Sequence, residues 1–172
     1  MSDESESWRQ SGQSCIISKD SQLLRHGIQM CEKYSSSRLS YCRIRLTTGS
    51  GDRERVPHAS GLNWGQRPGR EPNQAYLPVS VDIQREQFFP DVGRTFVLKT
   101  DDGHEFICKR AQQNGKAIHS ENNSDLGRYF RQRLGVTPGG LVSMGHLLKF
   151  GRTSVDIYKI CEREFLMDFS LN

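Results

Sequence analysis

Residues 94–109 read RTFVLKTDDGHEFICK and predict a β-hairpin. The segments 94–99 and 104–109 are rich in the β-branched and aromatic side chains that favour strands. Between them, Thr100-Asp101-Asp102-Gly103 is a strong turn signal, because Gly accepts the positive φ of a tight hairpin. Cys108 lies in the middle of the second strand, where packing is its expected role. The hairpin predicts that the chain folds around a β-sheet.

Further strands and two short helices are predicted around the hairpin. The strands are expected at residues 41–47, 75–81, 141–150 and 154–168. The helices are expected at residues 83–89 and 122–134. Pro78 restricts its strand to an edge or a bulge because proline cannot donate to a sheet. Many short strands predict a mainly β fold, a small barrel with helices closing its ends.

The second helix has one apolar stripe, formed by Leu126, Tyr129, Phe130 and Leu134. This stripe is expected to face the core and to leave Arg128 and Arg131 turned toward solvent. Gly135 is placed to end the helix in a left-handed conformation. The phenylalanines expected in the core are Phe88, Phe89, Phe96, Phe106, Phe130 and Phe150.

Composition fits one cytoplasmic domain with an extension. The chain has 172 residues, 34% of them hydrophobic, and its net charge of +4 is too small to indicate a partner. Its five cysteines are odd in number and lack a C-x-x-C pair, which argues against a zinc ribbon or a secreted disulfide framework. No apolar run is long enough to cross a bilayer. A reducing cytoplasm, without membrane contact, is expected.

The beginning of the chain differs from the rest. Residues 1–14 are rich in Ser and Glu and are expected to be disordered. Residues 15–40 are expected to form a short extension or linker, and residues 41–170 the main domain. Two interpretations stand for the extension: a native linker that packs on the main domain, or a remnant of a neighbouring domain.

Two polar segments combine basic side chains with amides. Residues 61–74, which we call the N-arm, contain GLNWGQR and REPNQ, and residues 109–116, the C-arm, read KRAQQNGK. Arginine and lysine grip phosphate and read guanine, whereas amides pair with adenine in the major groove. Together the arms predict a clamp on duplex DNA. The candidate binding residues in the arms are Trp64, Gln66, Arg67, Arg70, Glu71, Asn73, Lys109, Arg110, Gln112, Gln113, Asn114 and Lys116.

Several of these residues also have a plainer interpretation. Glu71 can accept from cytosine or orient a neighbouring arginine, and its alternative is a surface salt bridge. Trp64 can stack on a sugar, but anchoring of the N-arm to the barrel is the favoured interpretation. Residues 109–133 contain six basic side chains, including Arg128, and a solvated helix face is the alternative to a phosphate grip.

Enzymatic patterns are missing from the sequence. There is no G-x-S-x-G motif, no phosphate-binding G-x-x-x-x-G-K motif, and no His and carboxylate spacing suited to a metal. We therefore predict no catalytic residue, no metal and no cofactor.

The polar segments and the second helix resemble the carboxy-terminal region of BfiI- and NgoFVII-type restriction endonucleases. The resemblance covers residues 41–170, in order, and is based on residues 61–67, 73–78, 114–118, 122–123, 126–135 and 148–153. It implies a B3-like DNA-recognition domain, a seven-stranded open pseudobarrel whose two arms enter the major groove. It also adds Asn122 and Asn123 to the candidate DNA-binding residues.

One departure from these enzymes is informative. The enzymes place a phospholipase-D-like nuclease domain with a His-x-Lys signature before the recognition domain. None of the five histidines here is followed two residues later by lysine. The resemblance therefore predicts sequence-specific recognition of double-stranded DNA without a nuclease site. The expected partners are duplex DNA and a nuclease domain or subunit, in the cytoplasm of a bacterium at the nucleoid. The alternatives are a complete endonuclease with an unrecognised site and a non-specific nucleic-acid binder.

Overall fold

The computed structural model describes residues 39–171. Seven strands form its sheet: β1 Tyr41–Arg45, β2 Leu77–Pro78, β3 Thr95–Thr100, β4 Glu105–Ala111, β5 Ala117–Ser120, β6 Ser154–Cys161 and β7 Glu164–Asp168. The helices are α1 Val81–Arg85, α2 Asp125–Leu134 and α3 Met144–Phe150. The predicted disordered start at 1–14 lies outside the described residues, as does the predicted extension at 15–40 apart from its last two residues.

The strands form one nearly closed sheet. Their order is β1-β6-β7-β3-β4-β5-β2, and only β3 and β7 run parallel. β1 and β2 meet at a seam that backbone hydrogen bonds do not seal. The predicted seven-stranded open pseudobarrel is thereby confirmed. Pro78 lies in β2, at the edge of the sheet, where its missing N–H costs no ladder hydrogen bond.

The hairpin forms as the sequence predicts. β3 and β4 pair antiparallel, with Phe96 opposite Cys108 and Lys99 opposite Glu105. Gly103 takes the positive φ of the turn. Cys108 is buried, and burial raises the pKa of its thiol far above the usual range, so this side chain packs.

The core lies inside the barrel and under α2. β1 alternates exposed and buried side chains, as its period of two predicts. Of the phenylalanines expected in the core, Phe88, Phe89, Phe96 and Phe130 are buried, and Phe106 and Phe150 pack against them while partly exposed. α2 ends at Leu134, and Gly135 follows it in the left-handed conformation.

Residues 144–150 form a helix, so the strand prediction for 141–150 is wrong. The Ser143 hydroxyl and the His146 ring cap the first turn reciprocally, and Gly151 ends the helix with a φ of 95°. Only Leu147 of this helix is buried. Local capping therefore outweighs the apolar run that suggested a strand.

Further boundaries differ from prediction, and the strand predicted at 154–168 divides into β6 and β7. β2 comprises two residues in place of the predicted 75–81, because the Ser80 hydroxyl caps α1 and turns the chain into a helix. For the same reason this helix spans Val81–Arg85 and not 83–89.

Arg131 is buried, so the prediction that it faces solvent is wrong. Its side chain leaves α2 toward the N-arm and is 1% exposed. Gly127 lies one turn earlier on the same face, and a Cβ there would meet the Asn73 carbonyl oxygen at 1.6 Å. This close approach of the N-arm to α2 encloses the guanidinium.

Candidate nucleic-acid interface

The two arms lie at opposite ends of β5. The C-arm runs directly into β5. The N-arm ends beside the far end of that strand, where the Ala75 N–H donates to the Asn123 carbonyl at 3.1 Å. β5 therefore fixes the separation of the arms.

The N-arm begins with the 3₁₀ segment Gly61–Gln66, which is largely buried. Trp64 is buried, as the anchoring interpretation predicted. The Gln66 side-chain amide donates to the carbonyls of Pro72 and Gly139, at 3.2 and 3.0 Å. Gln66 thus holds the two ends of the exposed N-arm tip together and ties that tip to residue 139.

Arg67 and Arg70 are the exposed basic side chains of the N-arm tip. Arg67 Nε donates to the Ala59 carbonyl at 2.8 Å. The Arg70 guanidinium lies 3.9 Å above the Trp64 ring and donates to Gln74 Oε1 at 3.0 Å. Stacking on an aromatic face orients this fork without using all of its N–H groups.

Glu71 and Asn73 form a closed network at the base of the N-arm. The Asn73 backbone and side-chain N–H groups donate to the Glu71 carboxylate at 3.0 and 2.8 Å, and the Ser124 hydroxyl also donates to it. Asn73 Oδ1 accepts from the Gly139 N–H at 2.6 Å. Burial by itself raises the pKa of Glu71, but the hydrogen bonds from Ser124 and Asn73 outweigh it and lower that pKa. Both side chains are engaged in shaping the arm.

Arg131 holds the N-arm in place through hydrogen bonds to its backbone. Its guanidinium donates to the carbonyl oxygens of Pro72, Asn73, Gly127 and Gly140, at 3.1, 3.5, 3.2 and 2.8 Å. The sequence analysis missed this role. The available signal was the spacing of Gly127, Arg131 and Leu134, which share one helical face and pair a small residue with a long one.

The C-arm has an unusual backbone. Gln112, Asn114 and Gly115 all have positive φ, at 65°, 62° and 65°. Arg110 is 9% exposed, and its guanidinium donates to the carbonyls of Pro90, Asn114 and Gly115 at 3.3, 3.4 and 3.1 Å. Arg110 therefore holds the C-arm from within, beside three residues of positive φ that lie close together.

The tip of the C-arm presents free polar side chains. Gln113, Asn114 and Lys116 are exposed there, as is Lys109 earlier in β4, and none of these side chains has a hydrogen-bond or ion-pair partner among residues 39–171. Gln112 is half-buried at the base of the arm.

His119 lies between the arms. Its ring contacts Trp64 edge-on at 4.9 Å and stacks on Tyr76 at 5.7 Å, measured between ring centroids. Its Nε2 lies 3.4 Å from Gln112 Nε2, and its Nδ1 lies 3.2 Å from Asn123 Oδ1. Burial lowers the pKa of His119, aided by the charges of Lys109 and Arg70 and opposed by the hydrogen bond to Asn123. The sequence analysis did not single out this histidine.

Comparison with protein families identifies the domain. Residues 37–161 match the model of the NgoFVII C-terminal B3-like DNA-binding domain. The chain belongs to this family. The match contains both arms, α2 and the strands from β1 to β6. A search of curated proteins found no match. The predicted resemblance is confirmed, and DNA is the ligand class of this B3-like domain.

The B3-like domain places its remaining candidate residues near the N-arm. Asn122 is exposed, and its Oδ1 accepts from the Ser124 N–H at 3.2 Å just before α2. Arg128 is exposed on α2 and pairs with Asp125 at 3.4 Å. The positive charge of Arg128 lies close enough to Glu71 to help lower the pKa of that carboxylate.

The basic stretch at 109–133 divides into two groups. Lys109, Lys116 and Arg128 are exposed. The other three are engaged internally: Arg110 and Arg131 with carbonyls, and Arg133 with Asp101 and Asp102 at 3.0 and 2.7 Å. Half of the stretch is thus available to a ligand.

Two other structural features are absent from the described residues. Across residues 39–171, no three His, Cys, Asp or Glu side chains come together as a metal site. The same region contains no helix long and apolar enough to cross a membrane.

Proposed function

We propose that this B3-like domain recognises a specific sequence in double-stranded DNA, with both arms in the major groove. It would serve as the target-recognition part of a restriction endonuclease and contain no nuclease site of its own. The observation that carries the proposal is the pair of preorganised arms at the two ends of β5. Family membership supports DNA as the ligand.

The length of β5, which lies between the arms, is close to the width of the major groove. Four residues of β5 at about 3.3 Å each give a span of about 13 Å. The major groove of B-DNA is about 12 Å wide. Two arms at that spacing would reach base edges along the two walls of one groove.

The polar side chains of the arms divide into two proposed roles. Arg70, Gln112, Gln113 and Asn114 have unused donors or acceptors and would read bases, since a guanidinium matches guanine and an amide matches adenine. The exposed cations Arg67, Lys109, Lys116 and Arg128 would contact phosphates, and Asn122 would approach the backbone beside the N-arm. Trp64, Gln66, Glu71, Asn73, Arg110 and Asn123 would act through the shape of the arms.

A nuclease domain or subunit is the second partner that we propose. A recognition domain without a cleavage site needs such a partner to restrict DNA. This function would place the protein at the nucleoid, in the bacterial cytoplasm. Residues 41–170 would form the DNA-binding unit.

Selection from random duplex DNA tests recognition directly. We expect one motif of a few base pairs with the wild-type chain. Arg70→Ala should relax one position of it, whereas Arg128→Ala should leave the motif unchanged. Recovery of random sequence by the wild-type chain would reject specific recognition and favour a non-specific grip.

A cleavage assay tests the absence of a nuclease site. The purified chain is incubated with the selected duplex, with and without Mg²⁺. We expect binding and intact DNA. Cleavage that persists through repurification would make the chain a complete endonuclease.

A further inference from the structure

We propose that His119 is a positioning residue that fixes the Gln112 side-chain amide in one orientation and thereby sets which base the C-arm reads. Protonation of the ring would release that orientation. This inference rests on the proposed function and adds one residue, outside both arms, to the determinants of specificity.

The two ring nitrogens of His119 face groups of opposite character. Nδ1 lies 3.2 Å from Asn123 Oδ1, which can only accept, so Nδ1 carries the proton. Nε2 lies 3.4 Å from Gln112 Nε2, which can only donate, so Nε2 is the unprotonated acceptor. The neutral Nδ1–H tautomer satisfies both neighbours, and no other protonation state does.

The ring cannot turn to change this arrangement. His119 is 5% exposed, Trp64 meets it edge-on and Tyr76 stacks on it. The main chain at Asn123 is fixed beside the ring, because its backbone carbonyl accepts from the Ala75 N–H. The packing therefore holds the ring in place, with Asn123 Oδ1 facing Nδ1 and Gln112 Nε2 facing Nε2.

The fixed amide presents a defined pattern to a ligand. One Nε2–H of Gln112 points to His119, which leaves the other Nε2–H and Oε1, and neither has a partner within residues 39–171. An adjacent donor and acceptor match adenine N7 and N6. Gln112 in this orientation selects adenine over guanine, because guanine presents two acceptors.

Protonation of the His119 ring reverses which group of the Gln112 amide can hydrogen-bond to it. Nε2 of the imidazolium is a donor, so it opposes the Gln112 amide nitrogen and attracts Oε1. Rotation of the amide then turns both N–H groups outward, the pattern that suits guanine and not adenine. Discrimination at one base pair is expected to fall while the rest of the motif persists.

The charged and titratable groups around the ring favour its neutral form. Lys109 lies opposite His119 in β4, and Arg70 lies on the other face of Trp64 in the N-arm. Tyr76, just before β2, stacks on the ring. Together with burial, the two positive charges lower the pKa of His119. The reading state of Gln112 therefore prevails at neutral pH, and acid opposes it.

The first test uses the free protein. Long-range ¹H–¹⁵N spectra at neutral pH report which ring nitrogen of His119 is protonated. We expect the Nδ1–H tautomer. An Nε2–H tautomer would overturn the proposal, whatever the chain binds, because Gln112 could not then donate to the ring.

The second test uses selection from random duplexes near pH 7.5 and again toward pH 5. At one base pair, the wild-type preference for adenine over guanine should fall on acidification by about 5- to 140-fold, the equivalent of one bidentate contact. His119→Phe keeps an aromatic ring but cannot titrate, so the same preference should be weak at both pH values. Gln112→Ala should lose the preference for adenine at this base pair to the same extent. In the matched control Gln113→Ala, the preference at this base pair should still depend on pH.

The outcomes separate this inference from the proposed function. A motif whose every position is independent of pH and of His119→Phe would refute the role of His119 and leave sequence recognition standing. The absence of any motif would refute the proposed function. The tautomer measurement would still test whether Gln112 donates to His119. If His119→Phe does not fold, the wild-type comparison between the two pH values decides.

Discussion

Replacement of Arg131 by Met should destabilise the N-arm and the whole domain. The guanidinium is buried and donates to four carbonyl oxygens, two of which, those of Asn73 and Gly140, have no other donor among the described residues. Each orphaned buried carbonyl costs about 1–3 kcal/mol. Methionine fills similar space and removes a buried charge, which offsets part of that cost.

We therefore expect a loss of about 2–4 kcal/mol in the free energy of unfolding for Arg131→Met. A domain of ordinary stability, about 5–15 kcal/mol, would still fold after this loss. Burial also lowers the pKa of Arg131, with Glu71 opposing, so the native state bears a desolvation cost that Met avoids. This relief places the estimate below the sum of two full carbonyl penalties.

Arg128→Met is the matched control on the same helix. Arg128 is exposed and pairs with Asp125 at 3.4 Å, so its loss should cost no more than about 0.5 kcal/mol. Urea unfolding of both variants and of the wild type measures the difference. If the two variants agreed within about 0.5 kcal/mol, the argument that Arg131 supports the N-arm would be refuted.

Three further predictions concern binding and acid. Arg70→Ala or Gln113→Ala should weaken binding to the selected site by about 1–3 kcal/mol and leave binding to unrelated duplexes unchanged. Arg128→Ala should weaken binding to the selected site and to unrelated duplexes alike. If Arg70→Ala and Gln113→Ala also lost equal affinity for both kinds of duplex, two-arm recognition would be contradicted. The slope of log K against log salt should be about −3.6, for four phosphate contacts by Arg67, Lys109, Lys116 and Arg128; a flat response would remove DNA as the ligand. Glu71 has a lowered pKa, so it stabilises the fold above its unfolded value of 4.5, and that contribution is lost as pH falls through the lower folded value. Glu71→Gln should therefore be less stable than the wild type at neutral pH and approach the stability of the wild type in acid. If the two proteins differed by the same urea midpoint at every pH between these limits, the charge of Glu71 would not contribute to stability.

The sequence determined those features that depend on neighbours in the chain. The β3–β4 hairpin follows from two strand-forming segments around Asp102-Gly103, and the end of α2 follows from Gly135. The alternation in β1 follows from the period of a strand. Both arms were found because loops concentrate polar side chains and glycines, and the motifs within them predicted the family.

Only the tertiary structure decided what each polar side chain does. Arg131 and Arg128 lie three residues apart on one helix, yet one is buried under residues 72–73 and the other is exposed. Arg110 similarly turns inward while Lys109 beside it stays free. A guanidinium is buried wherever unpaired carbonyls converge, and those carbonyls come from segments far apart in the chain.

His119 shows the same limit most clearly. Its neighbours Trp64, Tyr76, Gln112 and Asn123 are separated from it by between 4 and 55 residues, and they meet only because β5 lies between β4 and β2. Local sequence sets backbone conformation through sterics and capping, whereas hydrogen-bond partners and burial depend on which strands become neighbours. The arms could therefore be located from the sequence, and the side chain that connects them could be found only in the folded domain.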